Sequence, residues 1–155
     1  GLVGSEMCIR DRIYRKGKIL QSNFKNNSIF FHLGMSGRLD LNGTKNKHTH
    51  GIFFFDEDVL LYDDIRKFGY IKILKNDLAD LQLSTLGPDA LSLSKLDKFF
   101  VMNKANKSST SIKKFLLNQK NLSGLGNIYV NEILFLAGVH PYSISLKLKA
   151  KLIKL

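Results

Sequence analysis

The sequence predicts an α+β protein, with a strand-rich half over residues 13–85 followed by a helical half over residues 86–155. Three observations predict it. Residues 28–33 alternate, setting Ile29, Phe31 and Leu33 against Phe30 and His32, which is the period of a β-strand. Residues 51–55 and 59–62 are apolar runs flanking Asp56, Glu57 and Asp58, a hairpin signal. LGPDAL at residues 86–91 holds a turn, and beyond it the apolar period lengthens to that of helices.

Residues 1–12, GLVGSEMCIRDR, show neither period and read as a non-native sequencing scar. Residues 42–49 are polar and read as a loop, and residues 70–74 as another strand. Residues 94–104 form the first expected helix. Ser111 caps a second, in which Ile112, Phe115 and Leu116 keep helical spacing. Residues 118–126 are a polar, glycine-punctuated connection. Asn127 opens a third helix with Val130, Ile133, Leu134 and Ala137 at i, i+3, i+4 and i+7, ended by Gly138 and Pro141. Residues 145–155 begin a fourth.

The 155 residues are 44% apolar, enough for a core, and carry a net charge of +11. Glu6 and Asp11 offset Arg10 and Arg12, so that excess lies wholly in residues 13–155. Such a balance favours a polyanionic partner, either nucleic acid or an anionic surface, although a merely soluble basic protein shares it. No apolar run approaches the roughly 20 residues of a membrane span. The single cysteine, Cys8, excludes a disulfide framework and a cysteine-based zinc site within this chain, and a reducing cytoplasm fits.

Residues 112–141, IKKFLLNQKNLSGLGNIYVNEILFLAGVHP, carry the most chemistry. Gly124 and Gly126 permit close-packed backbone, and the amides at Gly126 and Asn127 leave a helix N-terminus where an anion is favoured. Asn127 is equally suited to capping its own helix. The stretch closely resembles the helix-two-turn-helix of formamidopyrimidine-DNA glycosylases. Three more blocks resemble that family in the same order: HLGMSGRL (32–39), DDIRKFG (63–69) and LGPDAL (86–91). In the second, Ile65 replaces the usual proline and Lys67 the second arginine.

The resemblance implies an antiparallel β-sandwich, here partial, followed by a helix-two-turn-helix domain. It implies a bifunctional glycosylase and AP lyase that excises oxidised purines, 8-oxoguanine and formamidopyrimidines, from double-stranded DNA as a cytoplasmic, nucleoid-associated bacterial monomer. Met35, Arg66 and Phe68 are then the residues that fill the hole left by a flipped base, and a thioether, a guanidinium and a ring suit that task. Lys18, fourteen residues before His32, is the lysine close to the reacting sugar. His32 and Asn127 pin phosphates, and His48 of KHTH contacts DNA. Ser108, beside Lys107, stands where the family often has a basic DNA-binding residue. Glu132 braces the helix pair.

The family's nucleophile is an N-terminal proline followed by glutamate, whereas proline occurs here only at Pro88 and Pro141. The expectation is an internal fragment, inactive by itself, with no metal or cofactor. The parent's one structural zinc belongs to a four-cysteine C-terminal finger. Two alternatives remain: an endonuclease VIII-type glycosylase for oxidised pyrimidines, which lacks the Met/Arg/Phe trio, and a non-catalytic helix-two-turn-helix RNA-binding module, which lacks the strand-rich half.

Overall fold

The computed structural model describes residues 9–55 and 57–145. It divides into two compact units, Gly1–Ala79 and Asp80–Leu155.

In the first unit seven strands are described: β1 (Ile9–Lys16), β2 (Ile19–Phe24), β3 (Asn27–His32), β4 (Gly37–Leu41), β5 (Thr49–Phe54), β6 (Val59–Asp64) and β7 (Tyr70–Lys75). They form two antiparallel sheets, ordered β1-β2-β3-β7 and β4-β6-β5. β1 begins at Ile9, inside the segment read as non-native, and its register against β2 shifts between Ile9 and Ile13.

The alternation of β3 supplies the core. Ile29 sits between Ser22 and Ile73, and Phe31 between Leu20 and Ile71. These side chains meet Leu39 and Phe53 of the other sheet, and the Phe31 and Phe53 rings touch edge to face with centroids 5.3 Å apart. The two sheets therefore pack as a sandwich. Phe30, on the opposite face of β3, is also wholly buried, so this inner strand has no solvated side. Burying one such ring stabilises the fold by about 1.5–3 kcal/mol.

A helix that the sequence pattern did not predict, α1 (Asn76–Ser84), follows β7. Only Ala79 is buried on it, while Leu78 and Leu81 are exposed. Its first residue ties it to the sheet, because the Asn76 amide donates to the Phe24 and Lys25 carbonyls and its oxygen accepts from Ser28. The division between the two compact units falls within this helix, at Ala79 and Asp80.

The second unit adds α2 (Lys95–Asn106), α3 (Ile112–Leu117) and α4 (Asn127–Leu136). Ser94 and Asp97 form a reciprocal capping box on α2. Ser111 occupies the N-cap of α3 but makes no side-chain capping bond. α4 is stopped by Gly138, just past its C-cap Ala137, and the φ of +60° there suits glycine. The Val139 amide donates to the Leu134 carbonyl and the Gly138 amide to Phe135, closing a Schellman turn. Ile112, Phe115, Leu116, Leu122, Val130, Leu134 and Val139 make the core. The fourth helix expected over residues 145–155 lies outside the described residues, save Ser145. Among the described residues no helix is long and apolar enough to cross a membrane.

Candidate nucleic-acid interface

Two loop tips lie side by side in the first unit. One joins β3 to β4 and presents Met35, 72% exposed; the other joins β6 to β7 and presents Arg66 and Phe68, the ring 57% exposed. A turn closed by the Gly37 amide on the Leu33 carbonyl shapes the first tip. In the second, the Arg66 guanidinium lies 4.9 Å from the centre of the Phe68 ring. The sequence thus places the three expected void-filling residues on adjoining tips, with apolar and planar groups facing solvent rather than the core.

Asp64, the last residue of β6, holds the tips together. Its Oδ1 accepts the Ser36 hydroxyl at 2.6 Å and the Arg66 amide at 3.2 Å, and its Oδ2 accepts the Gly69 amide at 2.7 Å and, more loosely, the Tyr62 hydroxyl at 3.4 Å. The Ser36 hydroxyl and the Gly69, Arg66 and Lys67 amides hold the Asp64 carboxyl down to about 2, against the raising effect of burial. Asp64 carries no assigned role in the sequence reading, because the partner that ties it to the other tip, Ser36, lies 28 residues away.

Asp63 points the other way on β6 and organises the 42–49 loop. It accepts from the Thr49 hydroxyl at 2.6 Å, the Asn46 amide at 2.8 Å and the Arg38 guanidinium at 3.0 and 3.2 Å. Those bonds, Thr49 first, lower its carboxyl below the ordinary range. His48 sits half-buried in this loop, with its carbonyl accepting from the Asp64 amide. The His50 ring lies 3.0 Å from the Asp64 carbonyl.

Lys18 is exposed in the turn between β1 and β2, near enough to His32 for its charge to be felt there. His32 is half-buried and stacks on Tyr70 with ring centres 5.0 Å apart. Its Nδ1 is enclosed without a partner among the described residues. Burial, then the Lys18 cation, pushes the imidazole below its usual pKa, so the ring is neutral at pH 7.

In the second unit, the connection from α3 to α4 is braced by Gln119. Its amide donates to the Leu117 and Leu125 carbonyls, both at 3.0 Å, and its oxygen accepts from Gly124 at 2.9 Å. That role was not legible in the sequence. Gly126 is the N-cap of α4 and makes no side-chain cap, so Asn127 is the first helical residue rather than the cap. It is exposed, and the Asn127, Ile128 and Tyr129 amides lack intrahelical acceptors. Ser108, just past α2, is half-buried and bonded to Thr110 at 2.8 Å. Glu132 is exposed and forms no hydrogen bond or ion pair among the described residues. Among the described residues no group of three or more His, Cys, Asp or Glu could hold a metal ion.

The formamidopyrimidine-DNA glycosylase N-terminal domain matches residues 8–71, and the H2TH domain of the same glycosylase matches residues 86–155. The chain belongs to the formamidopyrimidine-DNA glycosylase family. Formamidopyrimidine-DNA glycosylase of Solibacter usitatus is 38% identical over 138 residues, 88% of this chain and 50% of that protein. The Bacillus subtilis glycosylase is 37% identical over 148 residues, 92% of this chain and 53% of its own length. The chain spans about half the length of the curated relatives it matches. The structure of the Lactococcus lactis glycosylase bound to DNA containing an AP site aligns with a TM-score of 0.80 at 32% identity, covering 91% of this chain and 56% of that one. A MutM complex with DNA containing carbocyclic 8-oxo-G aligns equally well, at 33% identity over 92% of this chain and 56% of that one. The expected α+β fold, a β-sandwich followed by a helix-two-turn-helix domain, is that of these glycosylases. A match over the strand-rich half disfavours an RNA-binding helical module.

Proposed function

We propose that the protein containing this chain is a base-excision repair enzyme, a DNA glycosylase and AP lyase that removes oxidised purines from duplex DNA. The observation that carries this reading is the pair of loop tips fixed on Asp64. They expose a thioether, a guanidinium and an aromatic ring together, as a wedge into a base stack requires. Met35, Arg66 and Phe68 fill the space vacated by the flipped base. Lys18 sits by the reacting sugar, and neutral His32 donates to a phosphate. His48 and Ser108 lie along the backbone, and Asn127 offers a phosphate the open amides of α4. The nucleophilic proline and the zinc finger belong to the rest of the protein. It works as a monomer on the bacterial nucleoid, in the cytoplasm.

The test is binding of the 155-residue chain to a duplex carrying a tetrahydrofuran abasic-site analogue, compared with the same duplex undamaged. The abasic duplex should bind more tightly, and affinity should fall at least about tenfold between roughly 50 and 200 mM salt as phosphate contacts release counterions. Equal, salt-insensitive binding of both duplexes would overturn the reading.

A further inference from the structure

We propose that Asp64 is a positioning residue for DNA: its carboxylate clamps the two loop tips into one rigid wedge, so that Met35, Arg66 and Phe68 enter the base stack in fixed register. The inference rests on the wedge reading above and deepens it.

The geometry is that of a clamp rather than of a surface acid. Asp64 is 1% exposed, and its two oxygens face different parts of the loops. Oδ1 takes the Ser36 hydroxyl of the first tip and the Arg66 amide of the second, and Oδ2 takes the Gly69 amide at the far end of the second tip. The Ser36 hydroxyl also accepts from the Arg66 amide at 3.0 Å, so the three groups close on one another. Both ends of the stretch carrying Arg66 and Phe68 are thereby pinned, and the loop carrying Met35 is tied to it. Only donors converge on this side chain, which an ionised carboxylate satisfies and a carboxamide does not, since its NH2 would face one of them. The neighbouring Asp63 contacts Arg38, Asn46 and Thr49 and no wedge residue. Tips left loose would have to be ordered at the moment of insertion, at an entropic cost that the clamp removes beforehand.

The test uses the 155-residue chain and an abasic-analogue duplex with 2-aminopurine opposite the lesion, its fluorescence read at saturating protein. Insertion of the wedge unstacks the probe and raises the signal. Asp64→Asn should bind within about threefold of the unsubstituted chain, because phosphate contacts set affinity, yet give less than about half of the rise. Ser36→Ala should fall between the two. Phe68→Ala should abolish the rise, and adding Asp64→Asn to it should change nothing more, as expected when one residue acts through the other. A full rise from both Asp64→Asn and Ser36→Ala, with Phe68→Ala still silent, overturns the clamp and leaves the wedge. A full rise from Phe68→Ala overturns the wedge and the clamp with it. Should Asp64→Asn lose its cooperative melt, Ser36→Ala decides: a full rise overturns the clamp and a reduced one supports it.

Discussion

Gly34 lies so close to Phe68 that a Cβ added to it would sit 2.8 Å from the Phe68 carbonyl carbon and equally close to the Gly69 nitrogen. The neighbours are backbone and cannot swing aside, and Gly34 itself has φ near +62°. Gly138 has almost the same φ, +60°, but open space where a side chain would go. The pair separates two costs. Gly138→Ala should lose about 1–2 kcal/mol, the left-handed conformation alone. Gly34→Ala should lose that and roughly 1–3 kcal/mol more for overpacking against the second tip. Urea unfolding of the two variants measures the difference, and equal losses would mean the tips separate freely.

The carboxylates give the protein a defined acid limit. Asp64 titrates at about 2 in the fold against an ordinary 3.8, and Asp63 is shifted the same way. A depressed carboxyl stabilises the fold fully above its unfolded value, and that stability drains as pH falls from near 4 towards 2. His32 adds an earlier loss. Its imidazole is held neutral by burial and Lys18, so the unfolded chain gains the proton first, and stability starts to fall as pH drops below about 6.5. Urea midpoints between about pH 7 and 2 should therefore show two stages. Asp64→Asn should shrink the lower one, leaving the share of Asp63, and keep the upper one in place.

How much of this the sequence disclosed depends on the range of each interaction. β3 was legible because Ile29, Phe31 and Leu33 alternate, and α4 because Val130, Ile133 and Leu134 repeat at helical spacing. α1 was not, since it is only nine residues long and follows β7 without an intervening turn residue to announce it. Nor was burial on both faces of β3, since its alternation predicts one solvated face whereas Ser28 and Phe30 on that face are buried too. Met35, Arg66 and Phe68 were found through a family resemblance in their blocks. Asp64 and Ser36 were not, because their bond spans 28 residues and nothing local marks it. Asn127 opens α4, as the spacing predicts, while the cap that its residue type also suggested falls to Gly126, one residue earlier.

Gln119 should matter to the second unit out of proportion to its size. Its side chain satisfies the carbonyl of Leu117, at the end of α3, and the Leu125 carbonyl and Gly124 amide in the turn that leads into α4. Gln119→Ala strips three half-buried backbone groups of partners at once. A loss of about 1–3 kcal/mol is expected, followed by denaturant unfolding, with hydrogen exchange accelerating at Gly124. A loss below about 0.5 kcal/mol would show that water replaces the side chain without penalty.

Asn127 offers the sharpest separation of binding from folding. It is the first residue of α4, its side chain makes no capping bond, and the helix dipole puts partial positive charge at the amides beside it. Asn127→Ala removes no bond to any described residue, so stability should hold within about 0.5 kcal/mol. Asn127→Asp sets a negative charge at a helix N-terminus and should add about 0.3–1 kcal/mol. If a DNA phosphate docks on these amides, the same aspartate repels it. Affinity for an abasic duplex should then fall about tenfold or more, roughly 1.4 kcal/mol, in a protein that melts no lower than the original. The alanine variant should lose less, keeping the backbone amides and the dipole while forfeiting one side-chain donor. Thermal melts and fluorescence anisotropy on the three chains decide the matter. An aspartate variant that melts as high and binds as tightly as the original would take Asn127 out of the DNA interface.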